Sequence, residues 1–194
     1  MFKKITFTSM IVSSLLLADS GVGININEQD LELEGILDSR NLAALQTSST
    51  IFQADINFLN NNEETKLFGM GVGATNKLGG VEGVEITLGA KFIWSEVADE
   101  SFTALPLMLK VRYSMPPLLY NIPPIGFEGK LLYAPKVLSF GESVTYNEYR
   151  LSADVEVIEN VKVYAGWRNI HARYVGIKPD LFNTSFYGGL KFAY

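Results

Sequence analysis

The side chains able to do chemistry fall into two groups. The first comprises Asp55, Glu85, Lys91, Lys110, Arg112, Glu128, Lys130, Glu148, Arg150, Asp154, Glu156 and Arg168, six acids and six bases, set into otherwise apolar alternating runs. Facing a confined interior, such charges are costly unless they pair. Their near balance therefore points to a network of ion pairs, or to the wall of a narrow polar pore. The second group is His171, the sole histidine, with Ser101, Ser139 and Ser143 as candidate nucleophiles in loops. Acyl transfer needs a nucleophile, a base and an orienting acid together. No spacing ties these serines to His171, so no catalytic residue is assigned. With no cysteine and one histidine, no metal-ligand spacing exists, and no cofactor is expected. Gly69-Met70-Gly71-Val72-Gly73 lies inside a strand pattern with no helix after it, so it is not a phosphate loop.

The elements that must position these residues are read from a period of two, because successive side chains of a strand point to opposite faces. Phe52, Ala54, Ile56 and Phe58 alternate with Gln53, Asp55 and Asn57. Phe68, Met70, Val72 and Ala74 alternate with Gly69, Gly71 and Gly73. Val84 through Trp94 is backed by Glu85, Thr87, Gly89 and Lys91. Leu105 through Tyr113 is backed by Lys110 and Arg112, and Ile125 through Tyr133 by Glu128 and Lys130. Tyr149 through Val157 is backed by Glu148, Arg150, Asp154 and Glu156, and Val161 through Trp167 by Lys162, Tyr164, Gly166 and Arg168. The last run, Asn183–Tyr194, carries Phe186, Leu190, Phe192 and Tyr194 at even spacing and ends on an aromatic.

One apolar face thus recurs on eight runs from Ile51 onward, each near the 9–11 residues that a tilted membrane strand requires. The fold class expected is all-β: a closed, antiparallel, up-and-down transmembrane β-barrel of 8–10 strands. Residues 21–49 hold two shorter runs, Val22–Asn27 and Leu31–Leu37, and a polar connector. Alternation of Ile24, Ile26, Leu31 and Leu33 favours ten strands. The alternative is that 21–49 covers the periplasmic mouth of an eight-stranded barrel formed by residues 50–194.

Residues 1–20 read as a cleaved signal peptide. Met1-Phe2-Lys3-Lys4 is a basic start, Ile5–Leu17 a mostly apolar stretch too short to span a bilayer, and Ala18-Asp19-Ser20 a small-residue cleavage site. The formal charge of −5 and the lack of basic runs argue against a nucleic-acid partner. Outer-membrane barrels have short periplasmic turns and longer outer loops. On that rule 175–182, 135–144 and 95–101 are outer, whereas 158–160, 114–123 and 77–81 are periplasmic. A lipocalin-like soluble barrel shares the alternation, with its charge outside and an apolar pocket inside. Three features favour the membrane: the terminal aromatic, aromatic residues at strand ends (Trp94, Tyr113, Tyr133, Trp167 and Tyr194), and the lack of an early Gly-x-Trp signature.

Leu132-Tyr133-Ala134-Pro135-Lys136-Val137-Leu138-Ser139-Phe140, then Tyr146-Asn147-Glu148-Tyr149-Arg150 and Val163-Tyr164-Ala165-Gly166-Trp167-Arg168, resemble the YfaZ-type outer-membrane proteins. The resemblance is clearest over the C-terminal third. It departs at the proline-rich 114–124 loop and at Trp167, where tyrosine is expected. It implies a barrel in the bacterial outer membrane and no particular activity.

The expected function is a small, monomeric outer-membrane barrel with an ion-pair-plugged lumen and a structural or interaction role. Its partners would be outer-membrane lipid and lipopolysaccharide, with the assembly machinery reading the C-terminal strand. The alternatives are a narrow porin-like channel, with lumen volume left empty by Gly69, Gly71, Gly73, Gly89 and Gly166, and a lipid A-modifying hydrolase or acyltransferase using His171. Loop 135–144, apolar at Val137, Leu138 and Phe140, would pack over the barrel mouth or contact a partner.

Overall fold

The computed structural model describes residues 20–39, 50–61, 65–97, 100–115, 123–175 and 181–193. Residues 1–19, which hold most of the expected signal peptide, residues 40–49 of the connector, most of the proline-rich loop and Tyr194 lie outside the described residues.

The strands are β1 Gly21–Ile26, β2 Asp30–Asp38, β3 Ile51–Asn61, β4 Lys66–Lys77, β5 Val84–Val97, β6 Glu100–Ala104, β7 Leu107–Ser114, β8 Ile125–Ala134, β9 Ser139–Phe140, β10 Ser143–Ile158, β11 Val161–Tyr174 and β12 Leu181–Ala193. Sequence neighbours pair antiparallel around the ring, and β1 closes it against β12. β6 and β7 are two halves of one wall strand, and β9 is a two-residue addition, so the wall is a ten-stranded closed barrel. Closure removes every free edge, as a sheet in hydrocarbon must. The N-terminal hairpin is therefore wall, with Val22–Ile26 paired on both sides.

Turn chemistry suits the connections. The Asn27 side chain accepts from the backbone N–H groups of Gln29 and Asp30 at 2.7 and 2.8 Å, closing the first hairpin. Asn160 has φ of 66°, the left-handed residue that follows a type I-like turn where the β10–β11 hairpin closes with a bulge at Glu156–Ile158. Pro106 has no N–H to give the ladder, and there the wall strand breaks into β6 and β7. The Leu105 N–H instead donates to the Leu138 carbonyl at 2.8 Å, and the Pro106 carbonyl accepts from Lys91 at 2.9 Å.

Gly21 stands opposite Ala193, so the start of β1 and the end of β12 share one rim, here the terminal rim; the other is the distal rim. At the distal rim two sequence expectations are corrected. Residues 98–99 lie outside the described residues, but 95–97 and 100–101 are strand rather than loop, because Ser95, Glu96 and Val97 pair with Phe102, Ser101 and Glu100. Their polar composition mimics a loop, yet Ser95 and Phe102 continue the inward side of the wall and are buried. Segment 135–144 folds into a short 3-10 turn over Lys136–Leu138 and then β9, which pairs with β6. Leu138 packs against the apolar cluster inside, while Val137 is 80% exposed.

The outward face carries a broad apolar belt that gives way to polar side chains, Lys66, Glu96, Asn169 and Arg173, towards the distal rim. Ile24, Leu33, Ile56, Met70, Leu88, Leu109, Phe127, Leu151, Val163 and Phe192 are all exposed on it. Trp94 and Tyr133 stand on it towards the distal rim and Tyr113 towards the terminal rim. Trp167 does not end its strand: β11 runs on to Tyr174, leaving Trp167 midway, opposite Leu151 and Phe186. Polar Arg168, Asn169 and His171 disguised that continuation in the sequence.

Candidate functional site: the charged lumen

Inward side chains form three layers. Nearest the distal rim is an apolar layer in which Leu59, Leu67, Ile93, Phe102, Leu132, Tyr146 and Ile170 are all fully or almost fully buried. Phe102 meets the Tyr146 and Tyr174 rings at centroid distances of 5.8 and 5.3 Å. The edge-on and tilted geometries are those that aromatic quadrupoles favour. This layer stops the bore with hydrocarbon.

Below it lies the densest ion-pair cluster, centred on Glu32. Its carboxylate accepts from both terminal nitrogens of Arg150 at 2.8 Å, from Arg168 at 2.7 Å, from the Asn57 amide at 2.7 Å and from Asn25 at 3.0 Å. Arg150 also pairs with Glu34 at 2.9 Å and with Glu148, which accepts from the Tyr146 hydroxyl at 2.6 Å. Arg168 pairs with Asp30 and lies over the Tyr187 ring, 5.5 Å from its centroid. Arg168 and Glu32 are both fully buried. Two planar guanidinium forks converging on one carboxylate supply the donors that buried carboxylate oxygens need.

Strand register explains why these groups meet. Lys110, Lys130, Arg150 and Arg168 are successive cross-strand partners on β7, β8, β10 and β11. Like charges directly opposite destabilise a sheet. In a ring of ten, β2 and β3 lie across from β8 and β10, and their inward acids Glu32, Glu34 and Asp55 answer that cationic row. The charge pattern thus matches the closed ring and would be self-repelling in an open sheet.

The third layer is a polar chamber reaching to the terminal rim. Asp55 pairs with Lys91 and lies 3.9 Å from Lys130. Arg112 holds Asp154 at 2.8 Å and approaches Glu128 at 3.7 Å. Lys110 donates to the Gln53 amide oxygen at 2.6 Å. Glu85 lines the chamber, and Glu156, at the rim, accepts from the Asn160 N–H at 3.2 Å. Exposure rises on the way down, from nothing at Arg168 to about a quarter at Arg112 and Glu128.

All twelve charges named from the sequence are thus inward or at the inward rim. The sequence pattern places Lys162 on the inward side of its strand but does not single out Asp30, Glu32, Glu34, Asp38 or Lys191. The four acids alternate with Leu31, Leu33 and Leu37, the same signal used elsewhere, in a hairpin too short to be counted firmly as wall. The glycines do not leave the lumen empty. A Cβ on Gly71 would stand 2.5 Å from the Asp55 carboxylate, and one on Gly69 would collide with Asn57 and Lys91. Their missing side chains are the space through which Asp55 and Lys91 reach each other.

The histidine and serines are not brought together. His171 has outward parity between buried Ile170 and Ala172, whereas Ser139 and Ser143 are buried. Ser139 donates to the Pro135 carbonyl at 3.1 Å, and Ser143 accepts from the Thr103 N–H at 3.1 Å. These serines lie in β9 and β10, and Ser101 in β6, rather than in loops, so their hydroxyls serve the wall. Among the described residues no cluster of three or more His, Asp and Glu side chains could hold a metal.

A closed ring with apolar flanks and a charged, largely filled interior is a membrane β-barrel. The chain belongs to the YfaZ family: the family model described as YfaZ precursor matches residues 2–194. No curated protein matches the sequence. Among solved structures, the chain is similar to a KdgM porin at 9% identity and a TM-score of 0.44, covering 90% of this chain and 98% of that one. It is also similar to a bacterial polysaccharide outer membrane secretin at 6% identity and a TM-score of 0.43, covering 90% and 69% of the two chains. Likeness at this level carries no functional argument.

Proposed function

We propose that this protein is a non-conducting barrel of the bacterial outer membrane, with its chain ends in the periplasm and a structural or interaction role. Lipid and lipopolysaccharide cover the apolar belt, and the assembly machinery engages the C-terminal strand. Membrane residence is supported by the apolar outward face on all ten wall strands, and outer-membrane residence by the signal-like start of a barrel-forming chain. The observation that carries the non-conducting reading is the double stop across the bore. The Phe102–Tyr146–Leu132 layer sits directly above the Arg150–Glu32–Arg168 cluster, all of it buried or nearly so. Ions crossing the bore would have to pass hydrocarbon and displace a carboxylate that holds five donors.

The test is planar-bilayer recording of purified, refolded protein. Silence is expected for the wild type. Steady single-channel steps would overturn the closed reading and restore the porin-like alternative.

A further inference from the structure

Most lumen cations have a carboxylate partner, but three at the terminal end do not. Lys162 and Lys191 are direct cross-strand partners on β11 and β12, both inward and half-buried. Among the described residues neither makes a hydrogen bond or an ion pair within 4.0 Å. Lys191 feels Glu128 across the chamber, but that carboxylate is already approached by Arg112. Lys110, on the facing side, bonds only a neutral amide. All three line the same chamber, of about 160 Å³, several times the ~30 Å³ share of a liquid water.

The upper part of the chamber is lined by six cations and four carboxylates, and its Asp55, Asp154 and Glu34 are already paired. Two more carboxylates, Asp38 and Glu85, line the lower part, so the whole chamber balances at six cations and six carboxylates. Glu156 is the other cross-strand neighbour of Lys162. The positive excess is confined to the facing Lys162–Lys191 pair and Lys110. Opposed lysines confined in a lumen cost stability unless something negative sits between them. Three ammonium groups on separate strands, each with several rotatable donors, suit an anion with several oxygens better than a monatomic one. The Tyr164 and Tyr187 side chains on the wall add neutral hydroxyls.

We propose that Lys110, Lys162 and Lys191 form a binding site for a small phosphate-bearing solute, entered from the terminal rim. The wall is closed, so a lipid headgroup outside the barrel cannot reach it, and the distal stop excludes entry from the other end. This goes beyond a structural role and does not depend on which membrane holds the barrel.

The probe is inorganic phosphate, followed by phosphorus NMR line width against the refolded protein in a phosphate-free detergent at constant ionic strength. The wild type should broaden the signal saturably. Lys162→Gln/Lys191→Gln should weaken apparent affinity at least tenfold, and Lys110→Gln severalfold. In chloride alone the double variant should melt at the wild-type temperature or above, because a repulsion has been removed. Wild-type protein without saturable broadening, or a folded double variant that retains wild-type affinity, would overturn the proposal. Bilayer recordings read the distal stop and this titration reads the chamber, so either claim can fail alone.

Discussion

The residue that does most to hold the lumen together is Glu32. It takes the charge of Arg150 and Arg168 and the amides of Asn25 and Asn57 at once. A buried ion pair is weak evidence for net stability, since desolvation offsets much of the attraction. Removing one partner is a different matter, because it strands the other charge. Glu32→Ala would leave two guanidiniums short of a buried counter-charge, and unfolding by urea in lipid vesicles should show a loss of about 3–5 kcal/mol. Glu32→Gln should lose less, since an amide still fills the space and accepts one bond. A Glu32→Ala barrel as stable as the wild type would show that water already compensates these arginines.

At the scale of elements, the outward rows set a depth scale. Leu151 lies mid-strand, paired with Gly129 and Trp167, whereas Ile158 ends β10 at the terminal turn. In a bilayer Leu151→Arg should cost about 2–4 kcal/mol and Ile158→Arg about 0–1, read by the same unfolding assay in vesicles. If water bathed this face, both would stay within about 0.5 kcal/mol of wild type.

The elements also show what the sequence made legible. Alternation located the wall from Ile51 onward and its inward charges, because a strand's faces are written directly into its residue order. It stopped short wherever a strand carried polar residues on both faces, as at Ser95–Glu96 and Arg168–His171. Glu32 and Glu34 were readable by the same rule, but β1 and β2 look too short alone; only closure of β1 against β12 gives them neighbours on both sides. The partners themselves were out of reach. Nothing local links Glu32 to Arg150, 118 positions away, and only the ring's diameter does so. For the same reason the glycines of β4 read as empty space rather than as clearance for Asp55 and Lys91.

For the whole molecule, the account is a ring whose inside is balanced and sealed at one end, and whose outside is hydrocarbon-like. The terminal chamber is where that balance is locally broken, by Lys162 and Lys191. Both properties follow from one choice of faces, since turning the strands inside out would put the paired charges in water and the outward leucines in a cavity.

That choice can be read without altering the protein. The chain has two tryptophans, Trp94 and Trp167, and both stand on the outward face. Reconstituted into bilayers with bromine on the acyl chains, the folded barrel should lose much of its tryptophan fluorescence relative to unbrominated lipid, while aqueous iodide quenches little. Unchanged emission in brominated lipid, with strong quenching by iodide, would contradict the membrane barrel.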